Sequence, residues 1–465
     1  MADFTPIAEK MRRAGLGEPV IRSFERNYQA LVAGSSTDIP EASIRPAVDL
    51  PRADQLPEGD DSLLSQAVVI KLNGGLGTSM GLSKAKSLLE VRDGQSFLDL
   101  IAKQVAWRRA QGAPTLRFLL MNSFSTSEDS RAALAKHPEL GPPEELEFVQ
   151  NKVPKLSASD FSAAQWAAQP ELEWCPPGHG DLYLALAGSG KLAALLAEGV
   201  KYAFISNADN LGAWPDPAIL RHFAESESSF LMEVTRRTES DKKGGHLAVR
   251  VADEQLVLRE VAQCPEEDLE RFQDIARHRF FNTNNLWVRL DRLQEALEAN
   301  DGIFPLPCIR NQKTVDPREG DSPAVFQLET AMGAAVECFG DATALEVPRS
   351  RFAPVKLTSD LLALRSDAFQ VTEDFRLELV AEREGQPPFI ELDKKHYKLV
   401  EGLDALLATG VPSLAACQRL SVQGPARFAE GVRCQGEVTF ENPGDEVAVI
   451  PAGTYQDEKV SLSGS

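Results

Sequence analysis

The feature that most constrains the fold is an alternation of short apolar runs with helical spans, which begins near Ser65. The runs AVVIKL, RFLLMNS and YAFISNADN have the pattern of buried strands, and the alanine-rich span from Asp99 to Ala110 has helical spacing. Such alternation predicts a mostly parallel sheet covered by helices. Three later runs, SSFLMEVTRR, GHLAVRVADEQLVLREV and NTNNLWVRL, alternate polar and apolar residues more strictly and predict added antiparallel strands. We place this core at residues 51–385.

Two flanking regions differ from this core. Residues 1–34 show helical spacing of apolar residues, and residues 35–62 are rich in Pro, Asp and Ser, so we expect an N-terminal helical segment and linker over residues 1–50. Beyond Gly385, short alternating units such as RLSVQG, CQGEVTF and EVAVI predict a separate, mainly β piece over residues 386–465. A solenoid is one arrangement that such units could take, although their repeat is irregular.

The net charge of −20 at pH 7 narrows the classes of partner. Nucleic acids and anionic membranes require clustered Lys and Arg, so neither is expected as a partner. A nucleotide can still bind where a few lysines, backbone amides and a metal ion converge. The six cysteines are scattered without the spacing of metal ligands, and no run of about 18 apolar residues is present, which favours a reduced, cytoplasmic protein.

The first candidate for a functional site is the glycine-rich turn that follows the first buried strand. Gly74, Gly75, Gly77 and Gly81 lie in LNGGLGTSMG, and Lys86 comes after them. Successive amides in such a loop can form a concave anion site, and a lysine beside it can bridge phosphate oxygens, so a triphosphate would fit. A tight turn with a solvated lysine explains the glycines equally well. The spacing matches neither GxxxxGK[ST] nor GxGxxG, which leaves a dehydrogenase as an outside alternative.

A second candidate follows the apolar run YAFIS, where Asn207 and Asp209 come at the carboxyl end of a predicted strand. Open α/β sheets carry their ligands at that end. A carboxylate there can hold a magnesium ion together with substrate phosphates. Asp209 is therefore the predicted metal ligand, and a plain strand cap is the alternative.

Several motifs, in the same order along the chain, resemble those of the eukaryotic-type UTP-glucose-1-phosphate uridylyltransferase family. Besides LNGGLGTSMG they are MNSFST, VQNKVPKL, WCPPGHGDLY, FISNADNLGA, KGGHLA, FNTNNLWV, FQLETAMGAA and VPRSRFAPVKLTSDLL, and they cover most of residues 70–365. The resemblance implies a Rossmann-like, GT-A-like α/β nucleotidyltransferase with a mixed sheet, helices on both faces and a C-terminal left-handed parallel β-helix. It also implies a magnesium-dependent, in-line reaction of UTP with α-D-glucose 1-phosphate that yields UDP-glucose and pyrophosphate.

The same resemblance assigns the site residue by residue. Lys86, Lys356 and Asp209 are expected to act in catalysis, and Asp209 to bind the metal. UTP is expected to contact Leu72, Asn73, Gly74, Gly75, Lys86, Gln150, Gly178 and Lys356. The sugar phosphate is expected to contact His179, Asn207, Gly245, Glu260, Asn282 and Asn284. No general base is required, because a phosphate monoester with a second pKa of about 6 is already ionised near neutral pH, so catalysis should rest on positioning and charge stabilisation.

Two departures from the family pattern bear on these expectations. The family's Lys-Gly-Pro-Lys run reads Ser-Lys-Ala-Lys at residues 83–86, so no proline fixes the loop, and the family's KGGT becomes KGGH at His246, beside the expected sugar pocket. Galactose 1-phosphate and N-acetylhexosamine 1-phosphate therefore stay open as substrates, as does a non-catalytic nucleotide-sugar sensor. Retention of both lysines and of Asp209 argues against the sensor. Arg349 and Arg351 are expected to form structural ion pairs, and self-association through the C-terminal piece stays open.

Overall fold

The structure is a computed structural model that describes residues 3–77 and 80–462, so Thr78 and Ser79 of the predicted phosphate loop lie outside the described residues. The helices are α1 (Thr5–Arg13), α2 (Glu18–Val32), α3 (Phe97–Gln111), α4 (Ser127–Leu134), α5 (Leu182–Gly188), α6 (Lys191–Ala197), α7 (Pro217–Ser226), α8 (Leu269–Gln273), α9 (Leu290–Ala299), α10 (Thr358–Arg365), α11 (Lys394–Tyr397) and α12 (Val400–Leu406). Short 3₁₀ turns connect many of them.

The strands are β1 (Ile44–Pro46), β2 (Ala67–Asn73), β3 (Glu90–Arg92), β4 (Gln95–Ser96), β5 (Arg117–Asn122), β6 (Glu147–Val149), β7 (Val153–Pro154), β8 (Leu156–Ser157), β9 (Trp174–Cys175), β10 (Tyr202–Asn207), β11 (Phe230–Arg236), β12 (His246–Arg250), β13 (Leu256–Arg259), β14 (Phe280–Arg289), β15 (Cys308–Thr314), β16 (Ala324–Thr330), β17 (Thr343–Glu346), β18 (Phe369–Val371), β19 (Leu377–Leu379), β20 (Phe389–Leu392), β21 (Cys417–Gln423), β22 (Ala426–Phe428), β23 (Val432–Glu441), β24 (Ala448–Ile450), β25 (Gly453–Gln456) and β26 (Lys459–Ser461).

A mixed sheet forms the centre of the molecule. Its main path runs β1-β12-β14-β10-β2-β5-β6, and β11, β13 and β17 pair beside that path. β2 pairs in parallel with both β10 and β5, and β5 pairs in parallel with β6. β14 pairs antiparallel with β10 and β11, and β12 pairs antiparallel with β13, so the predicted antiparallel additions are confirmed.

Helices cover both faces of this sheet. Alternate residues of its strands therefore pack against helices on opposite sides. On β2, Val69 packs in the core that includes α3 and α10, whereas Val68 and Ile70 pack in the core that includes α5, α6 and α9. The helix α3 begins at Phe97 because Ser96 and Asp99 form a capping box, in which the Asp99 amide donates to Ser96 Oγ at 3.1 Å. The layered α/β fold predicted from the run pattern is confirmed, but the sheet is mixed and not mostly parallel, because β1, β12, β13 and β14 join it through antiparallel pairs.

The N-terminal region is helical, as predicted, and α1 and α2 bury their apolar faces against β7, β8 and β16. The segment 35–62 does more than link these helices to the core, because β1 within it pairs antiparallel with β12 of the central sheet. A three-residue strand that ends in Pro46 offers too little alternation to be recognised in the sequence. Within the described residues, no helix combines the length and the apolar character that crossing a bilayer demands.

The C-terminal region is mainly β, as predicted. β20, β21, β23 and β26 pair in parallel with one another in that order, and β22 pairs in parallel with β24. Their apolar residues, among them Leu420, Phe428 and Phe440, belong to the same contiguous core as Val69 of the central sheet.

Candidate active site

The carboxyl ends of parallel strands define the candidate site. β2 ends at Asn73, directly before Gly74, and β10 ends at Asn207, shortly before Asp209. The register places Asn207 beside Leu72 and the end of β2 beside the end of β5. The chain leaves β2 toward β5 on one side and returns to β10 on the other. The gap between β2 and β10 is therefore a topological switch point, where open α/β sheets bind ligands.

Lys86 crosses this switch point. Its Nζ donates to Oδ2 of Asp209 at 2.7 Å and also to the carbonyl oxygen of Val355. The two paired side chains are 19% and 20% exposed, so the ion pair lines the cleft without being sealed from solvent. The Val355 amide donates to the Asp209 carbonyl oxygen at 3.2 Å, and Lys356 follows directly, with its Nζ exposed and 6.0 Å from the centre of the Phe352 ring. The structure thus brings the three predicted catalytic positions to one place.

Asn210 fixes the segment that carries Lys356. Its side chain is 1% exposed, donates from Nδ2 to the Arg351 carbonyl oxygen at 3.0 Å and accepts at Oδ1 from the Ala353 amide at 3.0 Å. Asn210 also forms an antiparallel bridge with Pro354. Because Asn210 follows Asp209, one amide side chain holds the metal-ligand candidate and the Lys356 segment in a fixed relation.

The two arginines that were expected to form structural ion pairs do so. Arg351 makes two bonds of 2.7 Å, from Nε and Nη2, to the Glu233 carboxylate, and both side chains are buried. Arg349 pairs with Asp241 at 2.7 Å. The Arg351 pair lies beneath the cleft and supports the segment that Asn210 holds.

Gln150 lies between the glycine loop and Gly178. Its Nε2 donates to the Gly178 carbonyl oxygen at 2.9 Å. A Cβ atom added at Gly74 would lie 2.8 Å from Gln150 Oε1, so the loop and the Gln150 amide approach each other closely and a larger residue would displace that amide. Three of the predicted UTP-binding positions therefore adjoin one another.

Two other predicted UTP contacts have different surroundings. The Asn73 side chain is buried and donates from Nδ2 to Asn122 Oδ1 at 2.7 Å and to Ser130 Oγ at 2.8 Å, so both donors of its amide are used within the protein. The Gly75 carbonyl oxygen accepts from the Lys86 amide at 3.4 Å, and the space beside its Cα is open.

His179 lies in a loop that is pinned to the segment after β16. Its Nδ1 accepts from the Met332 amide at 3.0 Å, which requires a ring whose proton is on Nε2. The ring is accessible to solvent although protein surrounds it on most sides, as on the wall of a cleft. Desolvation by that protein lowers the pKa of His179, and both this shift and the hydrogen bond favour the neutral ring. A neutral imidazole that donates from Nε2 suits a place beside a phosphate.

Four predicted sugar contacts lie together at the end of the β12–β13 hairpin and on β14. A Cβ atom at Gly245 would lie 2.6 Å from both carboxylate oxygens of Glu260, and burial raises the pKa of that carboxyl group. Asn282 Nδ2 donates to Asn284 Oδ1 at 2.9 Å, and the Asn282 amide donates to the Gly245 carbonyl oxygen at 3.4 Å. Asn284 has a φ of 59° where the register of β14 against β11 shifts, so the strand is irregular at this pair of amides; Asn282 is buried and Asn284 is partly exposed. Asn207 lies on the neighbouring strand β10.

Three buried groups around the site have no recognisable signal in the sequence. Glu233 and Asn210 hold the Lys356 segment, and Asp181 holds the loop that begins at Gln150 through Asn151. Each lies in an ordinary strand or turn pattern, and its partner is distant in sequence. Asp181 lies within the WCPPGHGDLY motif, but the motif gives no sign of its contact with Asn151.

Asp209 is suited to bind a metal with help from a substrate. Among the described residues, no group of three or more His, Cys, Asp or Glu side chains could hold a metal ion on its own. Mg²⁺ commonly takes one or two carboxylates and completes its coordination with water and substrate phosphates. The ion pair with Lys86 shows that the Asp209 carboxylate already lies beside the glycine loop, so a single carboxylate at this position fits magnesium.

A mixed sheet with a glycine loop, a lysine–carboxylate pair and a second lysine at its switch point defines an α/β nucleotidyltransferase. The family model described as UTP-glucose-1-phosphate uridylyltransferase matches residues 21–435. The enzyme of that name from Pyrus pyrifolia is 39% identical over 385 residues, which cover 83% of this chain and 79% of the relative. The enzyme from Saccharomyces cerevisiae is 39% identical over 405 residues, which cover 87% and 79%.

Solved structures agree with the family model. A mutant of UDP-glucose pyrophosphorylase from Leishmania major, in complex with UDP-glucose, superposes with a TM-score of 0.92 at 47% identity, and the match covers 99% of each chain. The UDP-glucose phosphorylase from Trypanosoma brucei superposes with a TM-score of 0.88 at 48% identity, over 98% of this chain and 99% of the other. The chain belongs to the UTP-glucose-1-phosphate uridylyltransferase family, as its motifs indicate.

Proposed function

We propose that this chain transfers the uridylyl group of UTP to α-D-glucose 1-phosphate and releases pyrophosphate. The observation that carries the proposal is the meeting of Lys86, Asp209 and the Lys356 segment at the switch point of the sheet. Family membership supports glucose 1-phosphate as the sugar. It favours neither the galactose 1-phosphate and N-acetylhexosamine 1-phosphate alternatives nor the non-catalytic sensor.

The reaction is one in-line displacement. A phosphate oxygen of glucose 1-phosphate forms a bond to the α-phosphorus of UTP, and the bond from that phosphorus to the bridging β-phosphate oxygen breaks, so UDP-glucose and pyrophosphate result. The attacking phosphate is already ionised near neutral pH. The protein's task is therefore to align the two phosphates and to stabilise charge, with Lys86 and Lys356 as cations and His179 Nε2 as a hydrogen-bond donor.

Magnesium is the proposed cofactor, with Asp209 as its protein ligand and the phosphates of UTP as further ligands. When bound, the ion would neutralise negative charge on the phosphates that react and leave. Lys86 pairs with Asp209 at 2.7 Å in the described structure, and it is the group that can turn to the phosphates once that carboxylate binds metal.

The remaining assignments come from the resemblance to the family, and the geometry of the cleft supports them. Gln150 would read the edge of uracil, because its amide can donate and accept side by side, while the backbone of Leu72, Asn73, Gly74, Gly75 and Gly178 would contact the nucleotide. Gly245, Glu260, Asn282, Asn284 and Asn207 would hydrogen-bond the sugar hydroxyls. The closeness of the four sugar-side residues on β12, β13 and β14 supports this grouping.

We also propose the finer architecture. The parallel pairing of β20, β21, β23 and β26 supports a left-handed parallel β-helix over residues 386–465, after a catalytic domain at 51–385 and an N-terminal segment at 1–50. A parallel coil that ends in β24, β25 and β26 offers strand edges for self-association. The acidic charge and scattered cysteines support a cytoplasmic enzyme that binds neither nucleic acid nor membrane.

Pyrophosphate release tests the reaction and the role of Lys356. With UTP, Mg²⁺ and glucose 1-phosphate, the wild-type protein should release pyrophosphate only when the sugar phosphate is present. Lys356→Ala should lower kcat roughly 100-fold or more, because a cation that stabilises the transition state is lost. Lys136→Ala, which removes an exposed lysine on the surface after α4, is the matched control and should match wild type. No release with glucose 1-phosphate, galactose 1-phosphate or N-acetylglucosamine 1-phosphate would refute the proposal.

A further inference from the structure

Two loops of the candidate site are cross-linked by one buried carboxylate. Asp181 Oδ2 accepts from the Asn151 backbone amide at 2.7 Å, and the Asn151 side-chain amide donates to Oδ1 at 3.0 Å. A second link runs the other way, from Gln150 Nε2 to the Gly178 carbonyl oxygen at 2.9 Å. Two side-chain links therefore hold the loop of Gln150 to the loop of His179.

The His179 loop is anchored independently on its other side. The Thr330 amide donates to the Pro177 carbonyl oxygen at 2.9 Å, and the Met332 amide donates to His179 Nδ1 at 3.0 Å. The Gln150 loop has its own backbone bond, from the Gln150 amide to the Asn122 carbonyl oxygen at 2.7 Å. Asp181 thus transmits the position of a firmly held loop to Asn151 and, through it, to the neighbouring Gln150.

Asp181 is a negative charge with no cation paired to it among the described residues. It is 4% exposed and borders a cavity of about 30 Å³, room for roughly one water molecule. The polar residues that line this cavity with Asp181 are Ser23, Asn27 and Thr330, and the others are apolar or glycine. Arg26, on the same helix as Asn27, directs its guanidinium to the carbonyl oxygens of Leu306 and Pro305, and His179 accepts at Nδ1 from a backbone amide.

We propose that Asp181 is a positioning residue that sets the orientation of the Gln150 amide and so determines the preference of the site for uracil over cytosine. This inference rests on the proposed function, because it takes Gln150 as the residue that reads the base. Uracil and cytosine differ in hydrogen-bonding character at two adjacent ring positions. An amide held in one orientation distinguishes them, whereas an amide on a loosened loop can turn to suit either base.

The protonation of Asp181 provides a readout that a purely structural role would not change. Burial raises the pKa of Asp181 to about 6, and the hydrogen bonds from Asn151 oppose that shift without cancelling it. At neutral pH the ionised carboxylate accepts from both Asn151 donors. As the pH falls through about 6 the group gains a proton and one oxygen becomes a donor, so the link to Asn151 weakens.

The test compares UTP with CTP in the wild-type protein and in Asp181→Asn, by kcat/KM and by calorimetric binding without sugar phosphate, from pH 5.5 to 8.5. At neutral pH the variant should lose roughly tenfold of the wild-type UTP-to-CTP ratio, as expected when a charged hydrogen bond is removed. The wild-type ratio should fall below about pH 6, and the variant's ratio should stay flat. Taking the ratio cancels the ionisation of the phosphates, which the two nucleotides share.

The possible outcomes distinguish a failure of the proposed function from a failure of the inference about Asp181. An active wild type whose UTP-to-CTP ratio is kept by Asp181→Asn at every pH would overturn the inference and leave the proposed function intact. A wild type that releases no pyrophosphate, yet binds UTP in preference to CTP only while Asp181 is intact, would refute the function and support the inference. If Asp181→Asn does not fold, Asn151→Ala replaces it in the test. This variant removes the side-chain bond to Asp181 and keeps the backbone bond, so the UTP-to-CTP ratio should fall in the same direction but by less. An unchanged ratio in Asn151→Ala would overturn the inference.

Discussion

At the scale of the residue, Asp209 has two competing partners. In the described structure its Oδ2 is 2.7 Å from Lys86 Nζ, while the proposed reaction requires the same carboxylate for Mg²⁺. Asp209→Asn removes the charge that attracts either cation. We expect the half-saturating concentration of Mg²⁺ to rise and kcat at saturating UTP to fall roughly 100-fold, because the charge that gathers metal and phosphates is lost. A titration of pyrophosphate release with Mg²⁺ measures both quantities.

The control for this prediction is Asp445→Asn. Asp445 is fully exposed in the C-terminal region, so the same chemical change there should leave the magnesium titration as in the wild-type protein. Were Asp209→Asn to show the wild-type magnesium curve, Asp209 could not be the metal ligand, and its pairing with Lys86 would be structural.

At the scale of the element, Glu41 of the N-terminal segment anchors the β12–β13 hairpin through a buried ion pair with Arg259 of β13. Glu41, 3% exposed, accepts from Arg259 Nη1 at 2.7 Å and from Arg277 Nε at 2.6 Å, and it lies 3.0 Å from His278 Nε2. Arg259 is itself fully buried. Glu41→Gln leaves that guanidinium with less compensation, and we expect the free energy of unfolding to fall by about 3 kcal/mol. Urea unfolding followed by circular dichroism measures the loss.

A matched ion pair on the same hairpin supplies the comparison. Glu254 pairs with Arg45, but both side chains are largely exposed, so Glu254→Gln should change the free energy of unfolding by less than about 1 kcal/mol. Equal losses in the two variants would contradict this prediction, because the burial of Glu41 would then add nothing to the free energy of unfolding.

At the scale of the whole molecule, the sequence predicts elements better than it predicts their partners. The apolar run of β2 and the glycines after it are local signals, so the central strand and the glycine loop that follows it could be located from sequence. The contact of Lys86 with Val355 and the Asn210 bond to Ala353 depend on which distant segments meet, and no local period encodes that. For the same reason the sequence does not reveal the contacts of Glu41, which lies in a segment whose composition predicts a linker. The alternation pattern of the C-terminal strands likewise does not predict that they pair in parallel.

The sharing of one core between the catalytic sheet and the C-terminal strands predicts how the molecule unfolds. Asp367 joins the two regions, since its Oδ1 accepts from the Leu414 amide at 2.6 Å and from the Ala415 amide at 3.0 Å. All five tryptophans precede residue 385, so tryptophan fluorescence reports on the catalytic region, whereas far-ultraviolet circular dichroism reports on the whole chain. We expect both signals to follow one thermal transition, which Asp367→Ala shifts to lower temperature as a unit. A variant in which circular dichroism shows an earlier transition that fluorescence does not share would mean that the C-terminal strands form an independent domain, despite the continuous core.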